Sequence, residues 1–243
     1  LAQRTAAALA WFWLVPRHMV EAVEWFDRVL AADGGSLEAS ASALVQSGFV
    51  GSVVRHNDLE GCLALIREGQ VKFVDLGDEQ WVKTAQTYEA VILWFQRDLE
   101  ASNLKLVEIQ AAHRSYGFEW GDAFCDFFLS SSAWFAGNLT EAGEHINRAL
   151  EIFRRIGDIG MIAWAGVRLG NTLLESGRLE EATALYEESV PMLADVGIKM
   201  TPIFADDVAF DTRFFTGDFE TLLKRPEVTA TIIATDENFH VAP

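Results

Sequence analysis

A forty-residue repeat constrains this chain more than any other feature. Leu59, Leu99, Leu139, Leu179 and Phe219 are spaced by 40, and Met19 extends the series backward. Gly77, Gly117, Gly157 and Gly197 keep the same interval. A third column, Ala22, Cys62, Ser102, Ala142 and Ala182, sets a small residue three positions after the apolar marker. Gly137, Gly177 and Gly217 precede their marker by two, and Asn57 and Arg97 hold the equivalent place. Columns that share one register mean stacked units, each burying its apolar face against the next.

Each column has a physical reading. The series Gly137-Asn138-Leu139, Gly177-Arg178-Leu179 and Gly217-Asp218-Phe219 marks a tight turn between helices, since Gly takes positive φ after a helix without a steric penalty. The small residue three positions later lets two helices approach closely. Leu76-Gly77-Asp78 and Ile156-Gly157-Asp158 end one helix and start the next, with Gly as C-cap and Asp as N-cap. Between these marks the apolar steps are three and four, as in Leu179, Ala182, Leu185, Tyr186, Val190, Leu193 and Val196, with Glu180, Glu181, Glu187 and Glu188 on the other face. No long segment alternates with period two. The pattern predicts helix pairs at 2–14/17–31, 37–55/59–75, 80–96/99–115, 121–136/140–156, 160–176/179–196 and 202–215/219–224. After Arg225, Pro226 breaks the pattern and a β-branched run follows. The expected organisation is a repeat domain over 1–225, then a cap or a truncated further repeat over 226–243.

Composition narrows the function. The chain has 243 residues, with 36 acidic against 19 basic and a net charge of −17. So acidic a surface repels phosphate backbones and anionic lipid, which argues against nucleic acid and membrane as direct partners. Two cysteines, Cys62 and Cys125, are too few for a disulfide scaffold and fit a reducing, cytoplasmic setting. The chain starts at Leu1 in mid-pattern, and we read it as part of something longer.

Leu169-Gly170, Leu173, Gly177, Ala182 and Tyr186 fall in the order of a tetratricopeptide repeat, which the chain resembles. The unit at 121–160 keeps Gly137, Ala142 and Ile146, while the units at 40–80 and 80–120 are degenerate. The family's usual period is about 34 residues, so helices here are longer by nearly a turn. A second likeness lies in Ala149-Leu150-Glu151-Ile152-Phe153-Arg154-Arg155-Ile156-Gly157-Asp158, and in Ala10-Trp11-Phe12-Trp13 with Glu24-Trp25-Phe26-Asp27-Arg28-Val29-Leu30. These segments are similar to the repeats of bacterial LuxR-type signal-transduction ATPases that regulate transcription. The resemblance implies an all-α, right-handed superhelical solenoid of about six antiparallel helix pairs, without a cofactor. It also implies that first helices line a concave groove where an effector or regulatory protein binds.

Carried through the register, that resemblance places Trp164, Val167, Asn171, Leu174 and Glu175 on the inward face. Forty residues earlier stand Phe124, Phe127, Ser131, Trp134 and Phe135, and before them Thr84, Thr87, Val91, Trp94 and Phe95. Leu44, Ser47, Gly51, Val54 and Arg55 complete the row, and Phe214 and Phe215 share the Trp-Phe register. The expected groove residues are Arg55, Trp94, Phe127, Ser131, Trp134, Trp164 and Asn171: rigid rings with a few polar handles, suited to a peptide or a small apolar effector. The competing reading of each ring is core between repeats.

Other candidates carry less. His18, His56, His113, His145 and His240 share no helix at metal-ligand spacing. His56-Asn57-Asp58 reads as a capping cluster, and both cysteines read as core thiols. Asp206, Asp207 and Asp211 with Glu119 or Asp122 could hold a cation, although acidic runs in this chain are expected on solvated faces. Three functions follow: the non-catalytic partner-binding domain of a transcriptional regulator, a stand-alone interaction scaffold, or a helical-repeat enzyme with an acidic site at Asp206 and Asp207. A homo-oligomer is compatible with any of them.

Overall fold

The structure is a computed structural model and describes residues 2–8, 19–32, 35–54 and 58–195. Ten helices run through them: α1 Ala2–Ala8, α2 Met19–Ala31, α3 Leu37–Val54, α4 Leu59–Leu76, α5 Glu79–Phe95, α6 Leu99–Ser115, α7 Glu119–Phe135, α8 Leu139–Ile156, α9 Ile159–Glu175 and α10 Leu179–Asp195. The described part is all-α, a tetratricopeptide-like solenoid of five successive helix pairs. The expected sixth pair at 202–215/219–224, the segment 226–243 and the end of the first helix lie outside the described residues.

The backbone repeats at half the interval seen in the sequence. Gly77, Arg97, Gly117, Gly137, Gly157 and Gly177 all take φ between 67° and 76°, one every 20 residues. At each, the helix ends in a left-handed residue and the next N–H reaches back to the preceding helix: Asp78 N to Phe73 O, Asp98 N to Leu93 O, Asn138 N to Ala133 O, all 2.9–3.0 Å. This closure satisfies carbonyls that the helix end would orphan. The following residue is the N-cap. Asp58, Asp78, Asp98, Asn138 and Asp158 accept from the amides of Gly61, Trp81, Ala101, Glu141 and Met161. Each such cap is worth roughly 1 kcal/mol. Phe118 stands in the same column without a capping bond and sets its ring edge-on to His113 instead. First helices begin one or two residues earlier than expected, at 79, 119 and 159, because these caps directly abut the turn.

The small-residue column is buried throughout. Ala22, Ser102, Ala142 and Ala182 are fully enclosed and Cys62 nearly so. Ser102 Oγ donates to Ala90 O at 2.8 Å, and one unit later Ser130 Oγ donates to Ala142 O at the same distance. One core cluster runs from Ala41 in α3 to Ala182 in α10, so burial is continuous from pair to pair. Besides sequence neighbours, α1 meets α3, α3 meets α5, α5 meets α7 and α7 meets α9. All are first helices of their pairs, which form the inner row.

Candidate functional site

The inner row carries aromatic rings at its C-terminal ends. Trp94 and Phe95 close α5, and Trp134 and Phe135 close α7, 40 residues on. Trp94 lies 5.6 Å from Phe95, 5.5 Å from Phe128 and 5.6 Å from Phe135, and Trp134 lies 5.2 Å from Phe135. Phe127 joins through Phe128 at 5.4 Å. Phe128 is buried, Trp94, Phe127 and Trp134 are half-buried, and Phe135 keeps 43 % of its surface exposed. The outer rings therefore sit on the core without being sealed into it. Trp164 on α9 is 41 % exposed.

The expected polar handles are turned to internal use. Ser131 is buried and donates to Phe127 O within its own helix. Thr87 is buried and bonds both Lys83 O and His113 Nε2. Asn171 is half-buried, its Oδ1 accepting from Tyr186 Oη at 2.6 Å, which ties α9 to α10. Phe124, Val91, Thr84 and Leu44 are also buried. Arg55 lies outside the described residues, as do Asp206, Asp207, Asp211, Phe214 and Phe215.

Two residues that the sequence reading did not name set their charge on these rings. The Arg97 guanidinium stands 4.8 Å from the Phe135 ring centre and 5.8 Å from that of Trp94. The Arg168 guanidinium stands 5.6 Å from Trp134 and 6.0 Å from Phe127. Arginine over a ring face is attracted by the ring quadrupole, by about 0.5–2 kcal/mol depending on desolvation. Burial pulls the Arg168 pKa down to about 10, and the nearby Tyr186 hydroxyl only partly opposes this. Both residues left a sequence signal. Arg97 stands in the glycine column, and Arg168 stands where the two preceding units have Phe128 and Tyr88.

The opposite flank of α7 is different. Asp126 is fully buried; its carboxylate meets His145 Nδ1 at 2.5 Å and Arg148 Nη2 at 2.8 Å. Burial alone would raise its pKa, but hydrogen bonds from His145, Arg148 and Gln110 outweigh that and hold it below the usual carboxylate range. Arg114 pairs with Asp122 next to it. His113 is enclosed, and burial lowers its pKa to about 4. Cys125 is enclosed too, and burial beside two carboxylates pushes its thiol up, so it is no thiolate nucleophile. Asp122 and Glu119, read from sequence as possible cation ligands, pair with Arg114 and Arg155. Among the described residues no group of three His, Cys, Asp or Glu converges as metal ligands would. Two cavities, of about 290 and 380 Å³, open away from the rings: one between α8, α9 and α10, the other where α4 meets α5.

Fold and site together define a helical-repeat protein whose first helices carry rings with arginines resting on them. Residues 128–195 match the family described as tetratricopeptide repeat, covering the C-terminal half of α7 with all of α8, α9 and α10. Repeats of that family support an interaction scaffold. No curated protein matches the chain. Among the described residues no helix is long and apolar enough to cross a membrane.

Proposed function

We propose that this chain is a non-catalytic recognition domain that binds a protein or peptide partner along its inner row of first helices. The observation that carries the reading is the ring row of two consecutive first helices: Trp94, Phe127 and Trp134 are half-buried on the core and Phe135 is exposed beside them. Packed helices lie about 8–10 Å apart, so the inner row from α5 to α9 spans roughly 20 Å. That length suits about six residues of extended chain better than one small effector. Trp164, 41 % exposed, adds a further ring on α9. Trp134→Ala tests the reading: peptide affinity should drop at least tenfold in a fluorescence-anisotropy titration, while the urea midpoint falls modestly. Equal loss of folding and binding would return Trp134 to a purely structural role.

The finer reading is that the domain is cytoplasmic and senses a regulatory partner for a bacterial transcriptional regulator. The run Ala149–Asp158 supports it by its likeness to such repeats. The genomic reading frame tests it. A phosphate-binding loop upstream and a basic helix-turn-helix downstream are expected, and a frame with neither leaves the domain a free-standing scaffold.

A further inference from the structure

From α4 to α10, Arg67, Arg114, Arg148, Arg154, Arg155 and Arg178 each hold a carboxylate. Arg97 and Arg168 do not; each rests on rings of the inner row instead. In a chain with 36 acidic residues, carboxylate partners are not scarce. The two exceptions are linked through adjoining rings. Arg97 covers Phe135, Phe135 adjoins Trp134 at 5.2 Å, and Arg168 covers Trp134.

Neither arginine is the residue that packing alone favours at its position. The contact between Trp94 and Phe128 recurs one unit later as the contact between Trp134 and Arg168. A ring fills the place in one unit and a partly desolvated guanidinium fills it in the next. Arg97 occupies a left-handed turn, φ 67°, where every equivalent described residue is Gly. A side chain there costs on the order of 1 kcal/mol. Positive charge without a carboxylate among the described residues, held on apolar rings, calls for an anion whose surroundings are apolar.

We infer that the groove receives a peptide segment whose Asp or Glu carboxylate, flanked by apolar side chains, meets Arg97 and Arg168 over the rings. The inference rests on the recognition role proposed above and names the chemistry of the partner. The flanking apolar side chains lie on Trp134, Phe135 and Phe127, and the carboxylate completes the two guanidiniums. A partner that is acidic throughout would be repelled by the remaining charge of the chain, so a local acid in an apolar segment is what fits.

Selection of random twelve-residue peptides displayed on phage against the whole chain tests this. Enriched peptides should carry an Asp or Glu next to Trp, Phe, Leu or Ile. Replacing that acid by its amide should weaken binding at least tenfold. The Arg97→Gln/Arg168→Gln double variant, with circular dichroism and melting checked, should bind the acid and amide forms alike. Enriched peptides that are neutral or basic, or a double variant that still distinguishes acid from amide, overturn the inference. If Trp134→Ala then still abolishes binding, the recognition role stands without it. No enrichment at all overturns both.

Discussion

The two flanks of α7 treat charge in opposite ways. On one, Asp126 is buried between His145, Arg148 and Gln110, and every charge meets its opposite. On the other, Arg97 and Arg168 lie on rings, with no carboxylate partner among the described residues. A matched buried charge fixes how neighbouring helices dock, because removing one partner strands the others. An unmatched one contributes little to folding and leaves its interaction for something outside the chain. If the groove binds a partner as proposed, charges that serve folding and charges that serve recognition can be told apart by what they touch.

The largest effect should come from breaking the matched side. Asp126→Asn should lower unfolding free energy by about 2–3 kcal/mol in urea titration, somewhat under a fully buried pair because Arg148 is half exposed. The folded pKa of Asp126 is held below its unfolded value. Its stabilisation is therefore present above the unfolded value, near pH 4, and is lost as pH falls through the folded one. The gap between wild type and variant should close in that acid range. A gap that persists to low pH contradicts the ion-pair account.

The next effect also belongs to this flank. His113 titrates at about 4 when folded against a usual 6.5. It must charge in the unfolded chain before it charges in the native one. Stability is full above about pH 6.5 and falls toward pH 4, by up to about 3 kcal/mol. His113→Gln should flatten the stability profile between those values, and an unchanged slope would place the loss elsewhere.

Smaller effects should have the opposite sign in the groove. Arg168→Leu should leave stability unchanged or raise it by about 1 kcal/mol, whereas Arg148→Leu should lower it. A loss at Arg168 as large as at Arg148 would erase the distinction between the flanks. Smallest of all, Arg97→Gly relieves a left-handed side chain but gives up a ring contact, so a gain under about 1 kcal/mol is expected in thermal melts.

Much of the architecture was legible from local chemistry. Gly137, Gly157 and Asp158 announce their roles because a left-handed turn and an N-cap each accept few residue types. The buried column from Ala22 to Ala182 was legible because close helix contact admits only small side chains. Of the residues expected to line a groove, Trp94, Phe127 and Trp134 are half-buried, while Ser131 and Asn171 are not free handles. Each found a nearer partner, Phe127 O and Tyr186 Oη, which only packing reveals.

The sequence by itself determined the helices, their turns and their interval, because those depend on residues within a few positions of each other. The tertiary structure decided which arginines would be paired and which would lie bare on rings. Pairing is set by what a neighbouring helix brings within about 4 Å, and Phe128 and Arg168 share one register while meeting different environments. The environment of each arginine was therefore settled by stacking, the one step the repeat pattern does not encode residue by residue.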